Sequence, residues 1–174
     1  MKPRSDNPIG IFDSGIGGLT VAKAIKNKLP NEQFIYFGDT AHLPYGEKST
    51  EALESYVKDI SSFLDKRSCK LMVVACNSAS TVLDQIDDLP FGLEQRVDVI
   101  QPIVELLTAQ QKFKHIGFIG TRKTIMSGLF QERIAKERSD LKLIAKHMVD
   151  SVQTSAHVQS FIEIDVTNIV KWRK

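Results

Sequence analysis

Cysteine is scarce in this chain: Cys69 and Cys76 are the only two in 174 residues. They form no CxxC pair, so no metal-binding spacing and no disulfide framework is legible, and no metal is expected. Long apolar runs are missing as well. None approaches the ~20 residues of a membrane span, and Met1-Lys2-Pro3-Arg4-Ser5-Asp6 is polar and leads into a strand rather than into a signal-peptide core. No membrane partner is expected, and the expected compartment is the cytoplasm. Charge of one sign is also lacking. Twenty-three basic and 21 acidic residues leave a net charge of +2, with the two signs interspersed, so no nucleic-acid partner is expected either.

What the chain does have is regular alternation. Strand-like runs at Ile9 to Phe12, Phe34 to Phe37, Leu71 to Val74, Val97 to Ile100, Ile116 to Ile119 and Leu141 to Ala145 are separated by helical patterns. Leu19, Ala22, Ile25 and Leu29 keep helical spacing and stop at Pro30. Leu53, Val57, Ile60 and Leu64 mark the inner face of a helix from Thr50 to Lys66. Helices are predicted from Ser78 to Ile86 and from Thr124 to Glu137, and Pro102 suits the first turn of the helix carrying Ile103, Leu106 and Leu107. The pattern predicts an α/β fold with a mainly parallel sheet.

Leu71-Met72-Val73-Val74 is the unbroken apolar run of a strand covered on both faces, and it leads directly to Cys76-Asn77-Ser78. Cys76 therefore falls at a strand's carboxyl end and a helix's amino end, where N–H groups and the helix dipole favour a thiolate. The alternative is a free cysteine packed as a small hydrophobe. Cys69 is a strand-entrance residue; seven positions at about 3.3 Å each put it roughly 20 Å from Cys76.

Asp13-Ser14-Gly15, Gly38-Asp39, Cys76-Asn77-Ser78, Gln101-Pro102 and Gly120-Thr121 each follow a strand, where open α/β sheets place their ligands, so these segments are expected to share one pocket. The glycines of Asp13-Ser14-Gly15-Ile16-Gly17-Gly18 allow backbone N–H groups to approach an anion. Nucleotide fingerprints fail here: Thr20 stands where the dinucleotide motif needs glycine, and no Gly-Lys-Ser/Thr ending exists. A cysteine phosphatase would need an arginine six positions after Cys76, where the chain has Val82. A Cys-His hydrolase stays open through His42, His115, His147 and His157, none of which has a motif around it.

Four segments together resemble the successive signatures of the glutamate racemases, in the aspartate/glutamate racemase superfamily: Ile11 to Val21, Gly38 to Gly46, Ala75 to Ser80 and Ile119 to Ile125. The likeness covers about residues 8 to 127. It implies parallel-sheet doubly wound domains, divided into 1–96 and a partial 97–174, and cofactor-independent interconversion of L- and D-glutamate, which supplies D-glutamate for peptidoglycan. Two cysteines would act as thiolate base and thiol acid. Cys76 would be one of them. Asp13 and Ser14 would contact the substrate amino group and orient the thiol, and Asp13 would also influence its proton. Tyr45, Gly46, Asn77 and Ser78 would bind the substrate carboxylates, with Thr121 and Thr124 nearby. Ser78 stands where the family usually has threonine and keeps the hydroxyl. Glutamate is the implied small-molecule partner, and a homodimer is left open.

The family's second cysteine, in a Gly-Cys-Thr-His segment, has no counterpart here. Three expectations follow: a truncated racemase with a half-built pocket, a complete one in which His147 or His157 replaces the thiol, or a non-catalytic α/β module binding an acidic amino acid or a protein partner. In the tail, Phe161 to Val166 alternates like a strand, while Val166, Ile169 and Val170 equally suit a helix.

Overall fold

The first and third apolar runs form the middle of a parallel sheet, with the second at its edge, and helices cover the central strands on both sides. In the computed structural model, which describes residues 6–147, β1 (Ile9–Asp13) lies between β2 (Phe34–Gly38) and β3 (Leu71–Val74), and β4 (Arg96–Asp98) follows β3. All neighbours run parallel, in the order β2-β1-β3-β4. Period-two alternation sorts the side chains. Ile9, Ile11, Val73 and Ala75 pack with Val21, Ala22 and Ile25 of α1 (Leu19–Lys28). Phe12, Met72 and Val74 point the other way, into a core with Leu53, Val57, Ile60 and Leu64 of α2 (Thr50–Asp65). Ser49 starts α2 by accepting the Ala52 N–H on its hydroxyl. Helices on opposite faces make this half a doubly wound α/β fold.

After β3 comes a single helical turn, α3 (Asn77–Ser80), and then a 3₁₀ turn at Leu83–Gln85, rather than one helix from Ser78 to Ile86. Val82, Leu83 and Ile86 are buried all the same, so the apolar stripe reflects core contact without a continuous helix. β4 hands over to α4 (Gln101–Ala109) through Asp98, whose Oδ1 accepts the N–H groups of Ile100 and Gln101, each at 2.7 Å. Pro102 sits in the first turn of α4, where its missing N–H costs nothing.

A second parallel pair follows, β5 (His115–Gly120) with β6 (Lys142–His147). Between them lie α5 (Arg122–Met126) and α6 (Leu129–Glu137) where one helix from Thr124 to Glu137 was predicted. The break is Gly128, at φ +69°, a left-handed conformation that glycine adopts without a Cβ penalty. Ile100 and Val104 from the α4 side and Phe130 and Ile134 of α6 bury Ile116 and Phe118 in a second core. His157, the alternating run 161–166 and the rest of the tail lie outside the described residues, and His147 is the last residue of β6.

Candidate active site

The strand order places the site. The chain winds outward from β1 to β2 and then crosses back to β3, so the β1/β3 border is a topological switch point, where diverging loops leave a crevice at the carboxyl ends. Asp13 ends β1 and Cys76 follows β3, so both stand at that border. The thiol donates to the Ser14 hydroxyl at 3.5 Å. Asp13, Cys76, Asn77 and Ser78 are all buried.

The glycine loop does wrap an anion, but the anion is internal. Gly15 and Gly18 donate their N–H groups to Asp13 Oδ2 at 3.2 and 3.0 Å. Gly18 cannot carry a side chain here, since a Cβ would lie 2.7 Å from the Asp13 Cβ and 2.9 Å from the Ala75 Cβ. Tyr36 closes the loop from β2 by donating to the Gly15 carbonyl at 3.0 Å. Its phenol is pushed up to about 12, by burial first, then by the charge of Asp13, and by Cys76 once that thiol is ionised.

Helix position suggested a stabilised thiolate, and the surroundings reverse that. Burial pushes the Cys76 thiol up, and the Asp13 carboxylate pushes it further; the Ala79 N–H and the hydroxyl and N–H of Ser14 pull in the other direction without prevailing. α3 has only four residues, too short for a strong dipole to offset desolvation. The resting group is a protonated thiol.

A second cluster joins the two halves of the chain. Ser78 of α3 faces Thr121, which precedes α5, at 3.0 Å between hydroxyls; Thr121 meets Thr124 at 2.9 Å, and Ser78 meets Thr124 at 3.5 Å. Thr121 also caps α5 by accepting the Thr124 N–H. Gly46 packs against the same threonine: a Cβ there would come within 2.7 Å of the Thr121 Cβ. Tyr45, buried beside Gly46, donates its hydroxyl to Asp39 Oδ2 at 2.5 Å, and His42 Nδ1 lies 2.8 Å from Asp39 Oδ1. Burial, then the hydrogen bond to Asp39, raises the Tyr45 phenol far above its ordinary value.

The fold thus brings together Asp13, Ser14, Cys76, Asn77 and Ser78 at the switch point, with Tyr45, Gly46, Thr121 and Thr124 joined to them through Ser78 and Thr121. Gln101 and Pro102 are not part of this group. They line a separate cleft of about 580 Å³ with Asp84, Asp98 and Arg133. The sequence places Gly38-Asp39 at the shared pocket and leaves His42 among the histidines open to a Cys-His hydrolase, but gives neither a part in holding the loop; Tyr36 reads only as a strand residue. Cys69 is buried at the other end of the sheet, with its sulfur near Gly10 at the start of β1. Among the described residues no group of three or more His, Cys, Asp or Glu side chains is placed to hold a metal ion, and no helix is long and apolar enough to cross a membrane.

No family model matches the chain. Individual relatives do. The glutamate racemase of Chlorobaculum tepidum is 43% identical over 146 residues, which are 83% of this chain and 53% of that protein. That of Aquifex aeolicus is 43% identical over 135 residues, 76% of this chain and 52% of the relative. Among solved structures, glutamate racemase from Francisella tularensis in complex with D-glutamate superposes with a TM-score of 0.73 at 35% identity, covering 82% of this chain and 53% of that one. The enzyme from Aquifex pyrophilus gives 0.74 at 37% identity, covering 80% and 54%. The chain spans about half the length of the curated relatives it matches. In sequence and in fold it is a partial-length match to the glutamate racemases.

Proposed function

We propose that this chain carries part of a glutamate racemase site, in which Cys76 exchanges the α-proton of glutamate without a cofactor. The observation that carries the reading is a buried thiol at the β1/β3 switch point, between Ser14 and the Asp13 carboxylate. A high proton affinity suits the task. The α-proton is weakly acidic, and a thiolate with a raised pKa is the stronger base once it forms. A substrate ammonium group beside Asp13 would offset that carboxylate's field and ease ionisation of the thiol. Tyr45, Gly46, Asn77 and Ser78 would hold the carboxylates through backbone and side-chain donors, with Thr121 and Thr124 closing the pocket from the second half. Two α/β domains dividing near residue 97, where β4 passes into α4, would place the substrate between them.

Inversion needs a second acid on the opposite face of the α-carbon, and Cys69, at the far end of the sheet, does not supply it. The described residues therefore account for deprotonation and reprotonation on one face. Supply of D-glutamate for peptidoglycan and a cytoplasmic setting belong to the same proposal, through the resemblance to the family. A binding module without chemistry would use Cys76 only as a small apolar residue of the first core, and would leave its hydrogen bond to Ser14 beside Asp13 without a task. The test is an NMR titration with L- and D-glutamate. Saturable shifts at the Gly46, Asn77, Ser78 and Thr121 amides are expected, and they should be lost in Gly46→Ala, whose methyl group would push Thr121 away. A folded chain showing no shift with either enantiomer would sink the reading.

A further inference from the structure

The resemblance gives Asp39 no role, yet Asp39 is the node of the loop that carries Tyr45 and Gly46. Its backbone N–H donates to the Asp13 carbonyl at 2.9 Å, tying the end of β2 to the end of β1. Its Oδ2 accepts from the Tyr45 hydroxyl at 2.5 Å. His42 Nδ1 sits 2.8 and 2.9 Å from its two oxygens. The His42 ring stacks on Tyr56 of α2 with centroids 4.3 Å apart, and Tyr56 contacts the Tyr45 ring at 5.5 Å. The contacts close a circuit from Asp39 through His42, Tyr56 and Tyr45 back to Asp39. One residue after Tyr45, Gly46 is pressed against Thr121.

We propose that Asp39 is a positioning residue: it fixes the 39–46 loop through Tyr45 and His42, so that the Gly46 backbone is held ready for a substrate carboxylate. The inference rests on the proposed function. Chemistry favours a carboxylate at this position. It accepts only, and both partners present donors, whereas an asparagine amide would turn its NH₂ towards one of them. Since both oxygens are already engaged, Asp39 is not placed to act as a base on substrate. Preorganisation of this kind acts on affinity, because a loop already fixed loses little entropy when ligand binds.

The experiment compares Asp39→Asn, Tyr45→Phe and the double variant, all as the full chain. Two readouts are used: L-glutamate affinity by NMR titration, and ligand-free amide exchange at Lys48, whose N–H donates to the Tyr45 carbonyl. Each single variant should weaken glutamate binding about tenfold, and the double variant should lose less than the product of the two, because the Tyr45–Asp39 link is shared while the His42 link is cut only at Asp39. Lys48 exchange should rise about tenfold in each, with the Val73 and Val74 amides of β3 unchanged. Additive losses of affinity, or unchanged Lys48 exchange in Asp39→Asn, would overturn the proposal. A rise at β3 equal to that at Lys48 would also overturn it, as general destabilisation. If the unaltered chain binds no glutamate, the functional reading falls, and Lys48 exchange still decides whether Asp39 fixes the loop.

Discussion

The two sheets of this molecule are built from the same parallel geometry but are covered differently. In the first, every residue of β1 is buried, with α1 on one face and α2 on the other. In the second, β5 alternates: Ile116 and Phe118 face the core under α4 and α6, while Ile119 on the opposite face is 60% exposed, and Ile144 of β6, which pairs with Gly117, is 47% exposed. The site follows that contrast. Asp13, Asp39, Tyr45 and Cys76 stand on or beside the doubly covered sheet, and the second sheet contributes threonine hydroxyls at its rim. Groups that must hold a proton in a fixed field lie on the better buried element, where fewer water molecules compete.

The largest expected effect separates the two cores. Phe130→Ala should cost about 3–4 kcal/mol locally, the range for a buried aromatic, and should raise amide exchange in β5 and β6 by roughly two orders of magnitude or more while β1 and β3 stay protected. Equal acceleration in both sheets would show that they unfold as one unit and that the contrast has no energetic meaning. Next comes the join. Arg133 of α6 pairs with Asp98 at 2.9 Å and with Asp84 at 2.8 Å, and both Arg133 and Asp98 are largely buried. Arg133→Ala leaves Asp98 without its cation and should cost about 2 kcal/mol, read from urea unfolding. A change near zero would mean that α6 does not depend on the first half.

Alkaline pH sharpens the comparison from the other side. Cys76, Tyr36 and Tyr45 all have raised pKa values, so the folded form keeps protons that the unfolded form releases above about pH 9 to 10. Stability is therefore full below those ordinary values and falls as pH rises above them. Protection of β1 and β3 should decline across this range ahead of β5 and β6, and Tyr36→Phe should lessen the decline. The smallest effect is expected at Lys136→Ala, which removes an exposed i,i+4 pair with Glu132 and should change stability by about 0.3 kcal/mol. A loss above 1 kcal/mol there would contradict the view that α6 is held by Phe130, Ile134 and Arg133.

Much of this was legible in the sequence because burial writes itself into pattern. Leu71 to Val74 reads as a doubly covered strand since both of its faces meet helices, and Leu53 to Leu64 reads as one stripe because α2 has one face inside. The signature segments placed Asp13, Ser14, Cys76, Asn77 and Ser78 at strand ends and Tyr45 and Gly46 in the loop after β2. Three things were not legible. The ionisation of Cys76 depends on the balance between desolvation, Asp13 and the donors of Ser14 and Ala79, and no spacing encodes a balance. The anion held by Gly15 and Gly18 is the carboxylate of Asp13 itself, a contact set by how the loop curls. Gln101 follows a strand like the others, but β4 is at the sheet edge, so its loop opens on another cleft.

The central claim is that Cys76 takes the α-proton of glutamate, and the direct measurement is proton NMR of L-glutamate and, separately, D-glutamate with the chain in D₂O. The account predicts loss of the α-proton signal for one enantiomer without inversion, faster as pH rises towards the thiol's raised pKa, and no loss with Cys76→Ala. Undiminished exchange in Cys76→Ala, or none from the folded unaltered chain at any pH, would contradict it.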